Sequence, residues 1–280
     1  MDTSKIAYAI WPWGTATREQ MELAAKEVTE IGFTCFESVK RAIYAYDLNL
    51  DAYREVLKRN NLRPVSFYFH LGRKEEEDQV FENLEKELDF VAQLDVKRVC
   101  LQGTGFRPDR EHPDEMPQDA LEYELDTIGR FAEKAKAFGI TPCLHPHHNT
   151  WVMFEKEIDY LLQNLDEDLV KFAPDTAHLV AANADPVKVI GKYAKRVGFT
   201  HLKDFTYGAD IGSMGFAKQD VEVYSNFSEL GTGNVDFAAV MRILDEAKFD
   251  GYHCIELDKA PVSNIQSAKN NLQYLQNLVY

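Results

Sequence analysis

The chain has no G-x-G-x-x-G, no C-x-x-C pair and no Gly-rich loop ending in Lys. It also lacks any apolar run near the roughly 20 residues that span a bilayer. Each absence removes a class of function. Dinucleotide binding in a doubly wound sheet loses its anchor, and nothing is present that would cradle a phosphate. Positive charge is scarce: 31 Lys and Arg stand against 46 Asp and Glu, a formal net charge of −15. Nucleic-acid affinity rests mainly on cations that neutralise phosphates, so no nucleic acid and no anionic membrane is an expected partner. Met1-Asp2-Thr3-Ser4-Lys5 lacks the basic region and apolar stretch of a secretion signal. Cys35, Cys100, Cys143 and Cys254 stand alone in apolar, strand-like runs, where a free Cys behaves as a small buried hydrophobe. Zinc-finger and disulfide frameworks need closer spacing. A reducing cytoplasm is the expected compartment.

What is present alternates. Strand-like segments, short and rich in β-branched and aromatic residues, fall at 5–11, 33–37, 63–69, 97–102, 140–145, 170–175, 197–203 and 252–257. Pro64, Pro142 and Pro174 fit such strands only where no ladder donor is needed. Between the strands run helical stripes, such as Met21, Ala24, Ala25, Val28 and Ile31, or Phe81, Leu84, Leu88 and Val91. Ile265, Ala268, Leu272, Leu275 and Val279 place a last helix at about 263–279. Thr17 with Gln20 reads as a capping box, and Asp185-Pro186 as a helix start. Gly32, Gly139 and Gly251 sit in turns that lead from a helix into a strand. Eight β–α units without a linker point to an α/β fold, a (β/α)8 TIM barrel forming a single domain over 1–280. A doubly wound open sheet is the alternative. Insertions at 103–116 and 204–234 follow strands four and seven, on the side where barrels build active sites. The second, with Gly208, Gly212 and Gly215, is expected to shape or close the pocket.

Polar residues gather where the later strands end: Leu144-His145-Pro146-His147-His148, Pro174-Asp175-Thr176-Ala177-His178, Thr200-His201-Leu202-Lys203-Asp204 and Cys254-Ile255-Glu256-Leu257-Asp258. In a closed barrel these ends surround one mouth. Taken singly, each has a plain alternative: a His at a strand end can be a hydrogen-bonded surface group, and Asp175 can be an N-cap. Four coincidences at one end favour a metal, and imidazole with carboxylate suits Mn²⁺, Fe²⁺, Co²⁺ or Zn²⁺ better than Ca²⁺.

On these residues, and on Glu229-Leu230-Gly231-Thr232-Gly233-Asn234-Val235-Asp236-Phe237, the whole chain resembles the xylose isomerase-like (AP endonuclease family 2) TIM-barrel superfamily. That group includes sugar isomerases, epimerases and inosose dehydratases. The resemblance implies one divalent metal, Mn²⁺ by preference with Co²⁺, Zn²⁺, Fe²⁺ or Mg²⁺ as alternatives. Asp175, His201 and Glu256 are the ligands it implies. Strand five departs from the pattern: His145 stands where many members have a Glu ligand, and Met153 where the inosose dehydratase branch continues with Glu. Alternation along the strand puts His145 and His147 on one face, so one binds metal and the other faces substrate. His145 is taken as ligand and His147 as base with a pKa near 6.5, and the two roles can be exchanged.

The implied activity is a metal-dependent isomerase or epimerase acting on a sugar or keto-sugar through an enediolate. The alternative is a metal-dependent lyase or dehydratase acting on a keto-cyclitol or a 3-keto sugar conjugate, C-glycosides included. A second alternative is a non-catalytic sugar-binding barrel. Endonuclease activity, known elsewhere in the superfamily, conflicts with the charge of −15. Catalysis is assigned to His147, Glu256 and Lys203. Substrate contact is assigned to Trp13, His70, Trp151, His178 and Glu37, each with a structural alternative in the core, in an ion pair or in a cap. The partner is a small sugar or cyclitol, with a homo-oligomer or a partner subunit left open.

Overall fold

Side chains on a strand alternate between two faces, and here that alternation separates two cores. The computed structural model describes residues 2–107, 116–206 and 223–280. Its strands are β1 (Ile6–Ala9), β2 (Cys35–Val39), β3 (Arg63–His70), β4 (Arg98–Gln102), β5 (Thr141–His145), β6 (Lys171–Phe172), β7 (Thr200–Leu202), β8 (Asp204–Phe205), β9 (Phe227–Ser228) and β10 (His253–Ile255). Eight of them form one sheet in the order β6-β5-β4-β3-β2-β1-β10-β7, and every pairing in it is parallel. Parallel bridges Phe172↔Val197 and Asp175↔His201 join the two ends. The Gly198 and His201 amides donate to the Phe172 and Pro174 carbonyls at 2.9 and 3.0 Å, which closes the barrel. All eight expected strands are found, most of them shorter than the sequence runs suggest.

Inside the barrel lie Ala7, Ala9, Cys35, Val65, Cys100, Cys143, Ala173, Phe199 and Cys254. All four cysteines are free and buried there, filling the barrel as small hydrophobes. Neighbours of opposite phase, such as Ile6, Tyr8, Val99, Leu101 and Leu144, belong to the larger core beneath the helices. Pro64 and Pro142 cost the ladder nothing. The Arg63 and Thr141 amides bond back to Thr34 and Lys97, so each following nitrogen faces the other neighbour, whose pairing starts only at Tyr68↔Cys100 or Cys143↔Lys171.

The helix signals hold at several joints. Thr17 and Gln20 form the capping box of helix Arg18–Ile31, which ends on left-handed Gly32. Asp185 caps helix Pro186–Tyr193. One joint differs: after helix Phe237–Glu246 the left-handed residue is Lys248, with φ 58°, not Gly251. A Cβ on Gly251 would lie 2.4 Å from the Gly198 carbonyl oxygen, so that glycine serves close packing between strands. Within the 204–234 insertion, β8 and β9 pair antiparallel; Gly208, Gly212 and Gly215 lie outside the described residues. No helix among the described residues is long and apolar enough to cross a membrane.

Candidate active site

Asp175 ends the β6 segment and starts helix Thr176–Ala181, and this position divides the work of its carboxylate. Oδ1 accepts the amides of Ala177 and His178 at 2.8 and 2.9 Å, the N-cap arrangement. Oδ2 receives no hydrogen bond, although the side chain is fully buried. Capping and ligand capacity therefore reside in one residue, and the cap aims the free oxygen.

His201 on β7 is held from behind. Its Nε2 lies 2.5 Å from Glu37 Oε2, and Glu37 Oε1 accepts the Ser66 hydroxyl at 2.7 Å. A proton kept on Nε2 by that carboxylate leaves Nδ1 as the donor atom, the arrangement that orients metal-binding imidazoles. Nδ1 is 2.8 Å from Glu256 Oε2 and 4.0 Å from Asp175 Oδ2. Burial disfavours the imidazolium, yet Glu37 and Glu256 outweigh it and hold the His201 pKa well above its ordinary value. Glu256 follows β10. Burial opposes its ionisation, but Lys203 and His201 keep its carboxyl well below the usual range.

Asp175, His201 and Glu256 each bring one ligating atom within 4.8 Å of the others. Asp175 Oδ2, His201 Nδ1 and Glu256 Oε2 are all buried without a hydrogen-bond partner. His201 Nδ1 lies 2.8 Å from Glu256 Oε2 and Lys203 Nζ 3.4 Å from Asp175 Oδ2, but neither contact is an aligned hydrogen bond, and a divalent cation would take all three atoms as ligands. The residues present therefore fit the metal.

Lys203 supplies part of the counter-charge. Its fully buried ammonium lies 3.4 Å from Asp175 Oδ2, 3.2 Å from Glu256 Oε1 and 3.0 Å from Asp258 Oδ2, with the Phe227 ring 4.3 Å away. Burial would lower its pKa, but Asp175, Asp258 and Glu256 raise it well above the usual lysine value. Lys203 is thus a permanent cation at the base of the site.

The strand-five histidines take different places. His145 Nδ1 sits 3.3 Å from the Ala173 carbonyl oxygen, and its buried Nε2 has no partner. It is not part of the Asp175–His201–Glu256 trio. Its ligating atoms cluster instead with Cys100 and His201, and with His147 and His178. His147 Nδ1 lies 2.9 Å from the His148 carbonyl oxygen, which keeps the proton on Nδ1 and the lone pair on Nε2. The expected pKa near 6.5 does not survive folding: burial, followed by Lys203, lowers it to about 3. His147 is therefore neutral throughout the ordinary pH range.

A cavity of about 340 Å³ opens over this cluster, lined by Trp11, Tyr68, His70, Gln102, His147, Glu256 and Asp258 among others. Trp11 donates its indole N–H to Glu256 Oε1 at 2.9 Å. Trp13, the tryptophan singled out from sequence, packs edge-on to Tyr8 in the core and donates to Glu27. The short helix Trp11–Trp13 turns the two rings to different sides. Trp151 donates to the Phe106 carbonyl and packs on Tyr123, so it braces the 103–107 segment. His178 is buried behind His147, their ring centres 3.9 Å apart. Glu37 stands behind His201 rather than against the cavity. Tyr68 and Gln102, bonded to each other at 2.5 Å, and Asp258 were missed from sequence. Alternation along β3 and β4 was the available signal for the first two. Asp204 collects the amides of Gly231, Gly233 and Val235 at 2.9, 2.8 and 3.0 Å. The Glu229–Phe237 motif thus folds around a carboxylate next to Lys203.

Comparison with known proteins agrees with this architecture. An inosose dehydratase of Clostridium beijerinckii is 27% identical over 93% of this chain and 92% of its own length. Among solved structures, L-ribulose 3-epimerase superposes with a TM-score of 0.77 at 16% identity, over 97% of this chain and 93% of that one. The IOLI protein with a binding zinc atom gives 0.74 at 15%, over 97% and 96%. At such identities the structures speak for the fold alone. The sequence match extends further: the family described as xylose isomerase-like TIM barrel matches residues 25–278, from the first helix through β10 to the last helix, and the chain belongs to that family.

Proposed function

We propose that the protein is a divalent-metal-dependent lyase that eliminates a β-substituent, water in the simplest case, from a keto-cyclitol or 3-keto sugar. The observation that carries this reading is the asymmetry of the site. Strand five contributes imidazoles in place of a carboxylate, so Glu256 faces a neutral His147 across the cavity and not a second acid. The likeness to inosose dehydratases along nearly the whole chain supports it.

Asp175, His201 and Glu256 would hold the cation, which when bound supplies Lewis-acid polarisation of the substrate carbonyl. His147, neutral at working pH, lines the cavity and takes the proton next to that carbonyl. The electron pair of the broken C–H bond becomes the new C=C bond. The β-substituent leaves with its own bonding pair and needs a proton. The imidazolium formed on His147 in the first step returns its proton to that group, which restores the base, while Asp258 in the same cavity stays paired to Lys203 at 3.0 Å. Lys203 holds negative charge in place throughout, and the Trp11 and Tyr68 rings shield the site from water.

Isomerase or epimerase chemistry is the second reading, because His147 and Glu256 line one cavity and two groups able to exchange a proton suffice for it. A non-catalytic sugar-binding barrel gives no role to three converging unsatisfied ligand atoms. Incubating metal-loaded protein with keto-cyclitols and ketoses in D₂O separates the readings. A lyase releases an unsaturated or diketone product, whereas an isomerase returns an isomer carrying deuterium. His147→Ala should keep metal and lose turnover; with His145, whose ligating atom lies within 4.8 Å of one of His201's, taken as a fourth ligand beside the trio, His145→Ala should lower metal occupancy. If both variants keep metal and exchange substrate protons at the parent rate, the division of labour is wrong.

A further inference from the structure

The cavity wall beside β2 carries charge opposite in sign to most of the molecule. Lys40, Arg41, Tyr44 and His70 line it. Lys40 and Arg41 open the helix Lys40–Ala45 directly after β2. Arg41 is anchored by its stem: Nε donates to the hydroxyl of fully buried Thr15 at 2.5 Å. Its two terminal nitrogens have no partner among the described residues. Lys40 Nζ donates to the His70 carbonyl at 3.2 Å, and no carboxylate forms an ion pair with either cation among the described residues.

Many described cations have no ion pair; what sets Lys40 and Arg41 apart is that they line the cavity shared by His147 and Glu256. Arg98 pairs with Asp250 at 2.8 Å, Arg107 with Glu157 at 2.6 Å and Lys203 with Asp258 at 3.0 Å. The acids that act on Lys40 are Glu87 and Glu76, and neither reaches it as an ion pair. Glu87 Oε1 is occupied by the Tyr44 hydroxyl at 2.6 Å. Two cations, one with its fork fixed and free, thus face a cavity that also holds the proposed reaction centre. A planar guanidinium offers paired N–H donors that match the oxygens of a carboxylate or phosphate.

We infer that Lys40 and Arg41 form an anion subsite, and that the substrate carries a carboxylate or phosphate on an arm beyond its reacting carbonyl. This rests on the cavity being the substrate site, as proposed above, but not on which reaction follows.

The test is calorimetric binding of D-glucose, D-glucuronate and D-glucose 6-phosphate at low ionic strength. It uses the full-length protein, metal-loaded and chelator-treated, as parent, Lys40→Gln, Arg41→Gln and the double variant. At least one acid should bind about tenfold or more tightly than glucose, the worth of a charge-assisted pair. The glucuronate arm identifies a carboxylate preference, and the glucose 6-phosphate arm a phosphate preference. The double variant should erase the advantage and leave glucose affinity within about twofold. Lys40→Gln removes only a bond to a carbonyl, so it tests the charge even if loss of the Arg41–Thr15 contact disturbs folding. Equal affinity of all three sugars for the parent, or an advantage that persists in the double variant, overturns the inference. Failure of the metal reading looks different: chelation would then change no affinity at all, while the anion advantage stands with or without metal.

Discussion

Glu124 gives the sharpest prediction about stability. It lies in helix Gln118–Ala137 and is fully buried. Oε1 accepts the Thr104 amide at 2.8 Å, and Oε2 has no partner. A Cβ on Gly103 would lie 2.2 Å from Oε1, so the carboxyl fills the space that glycine leaves at the end of β4. Burial, opposed by the Thr104 bond, raises its pKa from 4.5 to about 7. The folded state therefore binds this proton more tightly than the unfolded chain does. Its contribution is fully present below the unfolded pKa of 4.5 and is lost as pH rises through about 7. The whole change is roughly 3 kcal/mol, from the worth of one pH unit. Glu124→Gln keeps an oxygen for Thr104 and cannot titrate. Urea unfolding of parent and variant from pH 4.5 to pH 8.5 cancels every other titration in the difference. The variant should gain on the parent by roughly 3 kcal/mol across that range, with the steepest change between about pH 5 and 7. A difference that stays constant with pH, or moves the other way, refutes a protonated buried Glu124.

Two further perturbations probe the site and its support. Glu37→Gln leaves the three proposed metal ligands in place but removes the charge that orients His201. Metal affinity measured against a chromophoric chelator should fall about 10–100-fold, and an unchanged affinity would detach Glu37 from the metal site. Gly233→Ala would set a Cβ 2.4 Å from Asp204 Oδ1 and 2.5 Å from the Phe205 carbonyl oxygen. Backbone cannot yield cheaply there, so the variant should lose about 1–3 kcal/mol in denaturant unfolding; an unaltered midpoint would show that the Asp204 loop adjusts freely.

The barrel was legible because its signals are local. Strand runs, the Thr17–Gln20 box and the Asp185-Pro186 start all act within a few residues, and the proline positions fit once the ladder's starting points are known. The barrel mouth was legible because topology sends every strand end to one side. Rotation around short turns was not. Trp11 and Trp13 differ only by where a single turn of helix points them, and nothing in Trp11-Pro12-Trp13 distinguishes the cavity ring from the core ring. Glu37 reads as a strand-end acid facing substrate, yet its partner His201 is distant in sequence, so its orienting place appears only in three dimensions. The pKa of His147 escaped for the same reason, since burial and the Lys203 charge both come from the fold. Asp175 illustrates a different limit: N-cap and ligand looked like rival readings, and the two carboxylate oxygens make them compatible.

Metal analysis of the protein purified without chelator tests the central claim most directly. Elemental analysis should find about one equivalent of divalent metal per chain, or the depleted protein should take it up at micromolar concentration. His201→Ala and Asp175→Ala should abolish binding while the far-ultraviolet circular dichroism of the barrel persists. Protein that contains no divalent metal and binds none at micromolar concentration would contradict the metal-dependent lyase reading at its foundation.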